Sequence, residues 1–124
     1  MITDKQIELA KKQTKYTLDN THHEHNDCIH IAYQWLDAQK KTKAVTSKLR
    51  PLKHIIEKWG GRYVSTSDVC VAAQIHPDIK GTYPKFNISA RLTEPSSRRL
   101  DGISESMAHD NHDRYDTSVY KEQE

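Results

Sequence analysis

Leu52-Lys53-His54-Ile55-Ile56-Glu57-Lys58-Trp59-Gly60-Gly61 is the stretch on which the reading of the fold turns. Leu52, Ile55, Ile56 and Trp59 fall at i, i+3, i+4 and i+7, the spacing of one helical face. Pro51 stands in the first turn, where a missing N–H costs least. Gly60-Gly61 stops the helix, because glycine enters the left-handed conformation without a Cβ penalty. Arg62-Tyr63-Val64 then reads as a short extended link. Ser65-Thr66-Ser67-Asp68-Val69-Cys70-Val71-Ala72-Ala73 opens a second helix, with Ser65 and Asp68 at the spacing of a reciprocal cap. Val69, Ala72, Ala73 and His76 form its stripe, Val71 and Ile75 widen it, and Pro77 ends it.

Working towards the N-terminus, Thr3 and Gln6 predict another capping box, followed by a thin stripe of Ile7, Ala10 and Thr14 that should dock loosely. Residues 21–41 carry the strongest amphipathic pattern, with Cys28, Ile31, Ala32, Trp35, Leu36 and Gln39 on one face. Lys40, Lys41 and Lys43 crowd its C-terminal end, where cations complement the helix dipole.

Towards the C-terminus, residues 77–86 hold turn chemistry. Asn87 is expected to cap a short helix over 88–93, and Ser96 or Ser97 to start one more turn through Leu100. Beyond Ile103 the chain is acidic, with Met107 as almost its only apolar group, which predicts a flexible acidic tail. The expected architecture is mainly α: a small helical domain of four or five helices over residues 1–103, with a tail over 104–124. Its expected core is Cys28, Ile31, Ala32, Trp35, Leu36, Leu52, Ile55, Ile56, Trp59, Val69, Ala72, Ala73, Phe86, Ile88 and Leu92.

Hydrophobic residues make up 35% of the 124 residues, enough for one modest core. Cys28 and Cys70 both fall in apolar stripes and read as reduced thiols. The N-terminus has no apolar leader and no apolar run approaches a membrane span, so a soluble cytoplasmic protein is expected.

The charges are segregated. Residues 1–39 carry four lysines against six acidic groups, a net −2. Residues 40–100 carry 13 Lys and Arg against four acidic groups, a net +9, and residues 101–124 carry two against seven, a net −5. A basic band of this kind is what a phosphate backbone attracts, although ordinary solvated faces produce the same composition.

Catalytic chemistry finds little support. His22-His23-Glu24-His25-Asn26-Asp27-Cys28-Ile29-His30 places His23, Asp27 and His30 as neighbours on a helix, two nitrogens and a carboxylate for a metal. That trio would face solvent, opposite Cys28, Ile31 and Trp35, with no second shell to orient it, so a solvated polar face outweighs a metal site. His109 and His112 are too distant to place. A Cys–His nucleophilic pair fails because buried thiols are inert. No GxSxG, Walker or GxGxxG motif occurs, so no enzyme activity, cofactor or metal is expected.

A helix-turn-helix or winged-helix reader is the remaining candidate. The helix from Ser65 would brace, Asn87, Ser89 and Arg91 would face bases or phosphates, and Lys80, Lys85, Arg98 and Arg99 would neutralise phosphates. Against this, the link over 77–86 is longer than the usual turn of about 3–4 residues, and no wing hairpin is legible. Closure of the core by Phe86, Ile88 and Leu92 competes for the same segment.

In its small size, His-rich second helix and acidic tail, the chain resembles small accessory proteins of phages and plasmids. The resemblance rests on these general features, without a motif. It implies either a non-enzymatic regulator that binds nucleic acid, duplex DNA first, or an anti-defence or host-takeover inhibitor that binds a bacterial nucleoprotein complex.

Overall fold

The computed structural model describes residues 2–16, 21–108, 115 and 117–124. Its helices are α1 (Asp4–Gln13), α2 (Asn26–Ala38), α3 (Leu52–Gly60) and α4 (Thr66–Ile75). Three of the expected ends are realised by the expected groups. Thr3 Oγ1 accepts from Gln6 N while Gln6 Oε1 accepts from Thr3 N. Ser65 Oγ accepts from Asp68 N and Asp68 Oδ2 accepts from Ser65 N, both at 3.0 Å. Gly61 closes α3 at φ 63°, where a side chain would be strained.

α4 is the centre of the molecule. Every residue from Ser67 to Ala73 is buried, and α1 and α2 pack against it. α3 lies on α2, close enough that a Cβ at Gly60 would stand 2.5 Å from Ile31 Cγ2. Of the expected core, all are buried except Ile55, which is half-buried against it. Ile7, Ala10, Ile29, Val64, Val71, Ile79, Leu100, Ile103 and Tyr120 complete it. No helix among the described residues is long and apolar enough to cross a membrane.

Three expectations are corrected. α2 starts at Asn26 rather than near residue 21, with His25 as its cap: His25 Nδ1 accepts from Asp27 N at 2.9 Å. The segment 87–93 is not helical but a bent link that carries one bridge, at Ile88. β1 (Gly81–Thr82) and β2 (Lys85–Phe86) form a hairpin around the cis Tyr83-Pro84 bond. Ile88 then bridges Lys41 in antiparallel sense, and β3 (Thr93–Glu94) follows. The physical reason lies in Asn87, whose amide is spent on distant backbone rather than on a helix end. Its Oδ1 accepts from Lys80 N at 2.6 Å, and its Nδ2 donates to Asp78 O and Thr42 O.

The third correction is the tail. After turns over 104–107, where Met107 N donates to Gly60 O at 2.8 Å, residues 109–114 and 116 lie outside the description. The final stretch returns to the core. β4 (Glu122–Gln123) pairs in parallel with β3, Tyr120 is buried, and its hydroxyl accepts from Trp35 Nε1. A 3-10 turn over Ser97–Leu100, capped by Ser96 as expected, lies beside it.

Candidate nucleic-acid interface

The sequence from Lys40 to Ile56 contains no acidic residue, and neither does the one from Ile79 to Thr93. The fold lays these two segments side by side. Ser89 N donates to Lys40 O at 2.8 Å, Thr42 N to Asn87 O at 2.8 Å and Thr46 N to Phe86 O at 2.9 Å. Asn87 N donates to Lys80 O, so that Lys80 and β1 form the third line of the same ribbon. At the far end Arg50 Nη2 donates to Ala90 O at 2.7 Å. Eight basic side chains belong to this ribbon: Lys40, Lys41, Lys43, Lys48 and Arg50 on one segment, and Lys80, Lys85 and Arg91 on the other.

Ion pairing divides them. Lys40 and Arg91 both reach Glu122, Arg91 at 3.7 Å. Lys41 Nζ turns back to donate to Asp37 O at 2.7 Å, and burial lowers its pKa. Lys43, Lys48, Lys80 and Lys85 are exposed, and their ammonium groups have no hydrogen-bond or ion-pair partner among the described residues. Four solvated cations on two segments that carry no acidic residue are well suited to phosphate oxygens, since no internal pair has to be broken to use them.

The residues singled out from sequence are therefore dispersed in role. Lys80 and Lys85 stand on the ribbon with their charges available. Arg91 is exposed but shared with Glu122. Asn87 is buried, 4% exposed, and its amide is fully occupied in holding the ribbon together. Ser89 Oγ accepts from Arg91 N and shapes the local turn. Arg98 is exposed on the 3-10 turn, without an ion-pair partner among the described residues. Arg99 beside it is locked. It bonds both oxygens of Glu124, Asp37 Oδ2 at 2.9 Å and Gln34 Oε1 at 2.9 Å. The Glu124 bonds raise its pKa above the ordinary guanidinium value.

Lys43 and Lys48 belong to the ribbon and were not singled out by the helix-turn-helix reading. The long acid-free run between Asp37 and Glu57 was the available signal. The expected reading segment over 87–93 is not a helix, and α4, the expected brace, is buried from Ser67 to Ala73.

The histidine trio does not assemble. His23 precedes α2 and turns inward, its Nδ1 2.7 Å from Asp68 Oδ1 and its Nε2 3.2 Å from the Tyr16 hydroxyl. His30 is buried, while Asp27 bonds Ser104 Oγ and Glu105 N. No cluster of three potential metal ligands occurs among the described residues. Cys28 is buried, and burial pushes its thiol up to about 11. His76 Nδ1 accepts from Asp78 N at 3.1 Å, which leaves Nε2–H to face Asp37 Oδ1 at 2.8 Å.

No protein-family model, curated protein or solved structure matches this chain.

Proposed function

We propose that this protein binds nucleic acid, duplex DNA first, through the phosphate backbone and without catalysis, as a small cytoplasmic regulator. What supports the proposal is the ribbon of Lys43, Lys48, Lys80 and Lys85, whose ammonium groups have no partner among the described residues and which stand on two segments without acidic residues. The contacts are to backbone charge, so sequence preference is expected to be weak. Titrating a fluorescent duplex at increasing salt tests this. If all four lysines contact phosphates, log K falls against log salt with a slope of about −3.6. Lys43→Ala/Lys48→Ala flattens the slope by about half. Absence of binding at low salt rejects the proposal.

A second reading is favoured by the side chains between those lysines. Val45 is 49% exposed and Leu49 74% exposed. Aliphatic groups framed by cations suit an acidic protein surface, as an inhibitor of a bacterial nucleoprotein complex would require. Co-purification of one host protein at a fixed ratio, abolished by Leu49→Ser, supports this reading over the first.

A further inference from the structure

A groove of about 610 Å³ runs beside the ribbon, between the C-terminal end of α1, α4 and the β1–β2 hairpin. That lies within the ~300–1,000 Å³ that holds small organic ligands. Ile79 and the half-buried Tyr83 contribute an apolar floor over the buried Phe86, Gln13 and Gln74 stand on the walls, and Lys15 and Lys80 stand on the rim. Gln13, Gln74, Lys15 and Lys80 are all exposed, and their side chains have no polar partner among the described residues.

Such a groove poorly suits a duplex, whose base faces are hidden in the stack and whose base edges lie within its grooves. An unpaired nucleotide uses every part of it. Its base has an apolar face for the floor and a hydrogen-bonding edge for the walls. A glutamine amide presents a donor and an acceptor side by side, the complement of that edge. The two lysines supply charge for the flanking phosphates. Lys80 belongs to both groove and ribbon, so a strand crossing the ribbon reaches the groove without interruption.

We infer that this groove is a subsite for one unpaired nucleotide of a single-stranded segment, continuous with the lysine ribbon; the inference rests on the nucleic-acid reading above. The test uses the full chain, labelled with nitrogen-15, and two probes: a single-stranded oligothymidylate and its duplex with oligoadenylate. The single strand is expected to shift the side-chain amide signals of Gln13 and Gln74. The duplex shifts only backbone signals of the ribbon, such as those of Lys43 and Lys85. Gln13→Ala/Gln74→Ala, two changes on exposed surface, lowers affinity for the single strand about tenfold and leaves duplex affinity unchanged. Single-strand affinity that survives the double substitution overturns the subsite alone. Glutamine signals that stay fixed while the ribbon signals move do the same. If neither probe moves any signal at low salt, the nucleic-acid reading falls and the subsite falls with it.

Discussion

The indole N–H of Trp35 donates a 3.0 Å hydrogen bond to the hydroxyl of Tyr120, 85 positions further along the chain. Both groups are buried, so neither has water to turn to. Tyr120→Phe keeps the ring and strands the indole N–H. The expected loss is about 1–3 kcal/mol, measured by urea unfolding. A tail that merely hung from the domain would give no change.

Asn87 separates a structural role from a base-reading one. Its amide joins Lys80, Asp78 and Thr42, three points of the ribbon. Asn87→Ala is expected to cost about 2–4 kcal/mol, taking ~1 kcal/mol per lost bond and some penalty for stranded backbone. Thermal unfolding checks this. A variant that melts normally yet loses nucleic-acid binding would restore Asn87 as a direct contact.

Glu122 and Glu124 occupy cations that phosphate could otherwise use. The Lys40 and Arg91 side chains hold the Glu122 carboxyl below its usual value, and Arg99 does the same for Glu124. Glu122→Gln/Glu124→Gln keeps the β4 backbone and releases Lys40 and Arg91, while Arg99 keeps Asp37 and Gln34. Nucleic-acid affinity at ~100 mM salt is expected to rise several-fold, with a steeper salt slope, in proportion to the cations released. Fluorescence anisotropy against salt measures both.

His30 makes the fold sensitive to mild acid. It is buried, and its Nδ1 has no hydrogen-bond partner among the described residues. Burial lowers its pKa, outweighing the opposing charges of Asp27 and Asp4, while the N-terminus and His25 lower it further. The folded state therefore binds the proton less readily than the unfolded state. Stability is complete above the unfolded value of about 6.5 and declines as pH falls from there through the folded value. The urea midpoint should drop as pH falls below about 6.5. In His30→Phe that portion of the decline should vanish.

Local chemistry was legible and non-local partnership was not. The ends of α1, α3 and α4 could be read because Thr3, Ser65 and Gly61 act on backbone within a few residues. Asn87 has the same capping chemistry, but its partners lie seven to 45 positions away, and it stabilises a ribbon instead. The start of α2 was displaced for a similar reason. His23 is drawn off to Asp68 and His25 caps α2 in extended conformation, so His23 lies outside the helix that carries Asp27 and His30. In the C-terminal stretch Tyr115, Val119 and Tyr120 are too sparse to form a period, yet Tyr120 fits a site made by Trp35. For the candidate interface the summed charge was legible. Which cations remain unpaired depends on where Glu122 and Glu124 return, and no spacing rule encodes that.

The lysine ribbon joins two segments that are distant in sequence, so its charge density exists only while the domain is folded. A polyanion that prefers the assembled ribbon to the open chain is therefore linked to folding itself. At a hundredfold excess over its Kd such a ligand adds about 2.7 kcal/mol to stability. If nucleic acid is that polyanion, the melting temperature becomes a label-free gauge of ribbon occupancy, and nucleic acid in the surroundings steadies the fold.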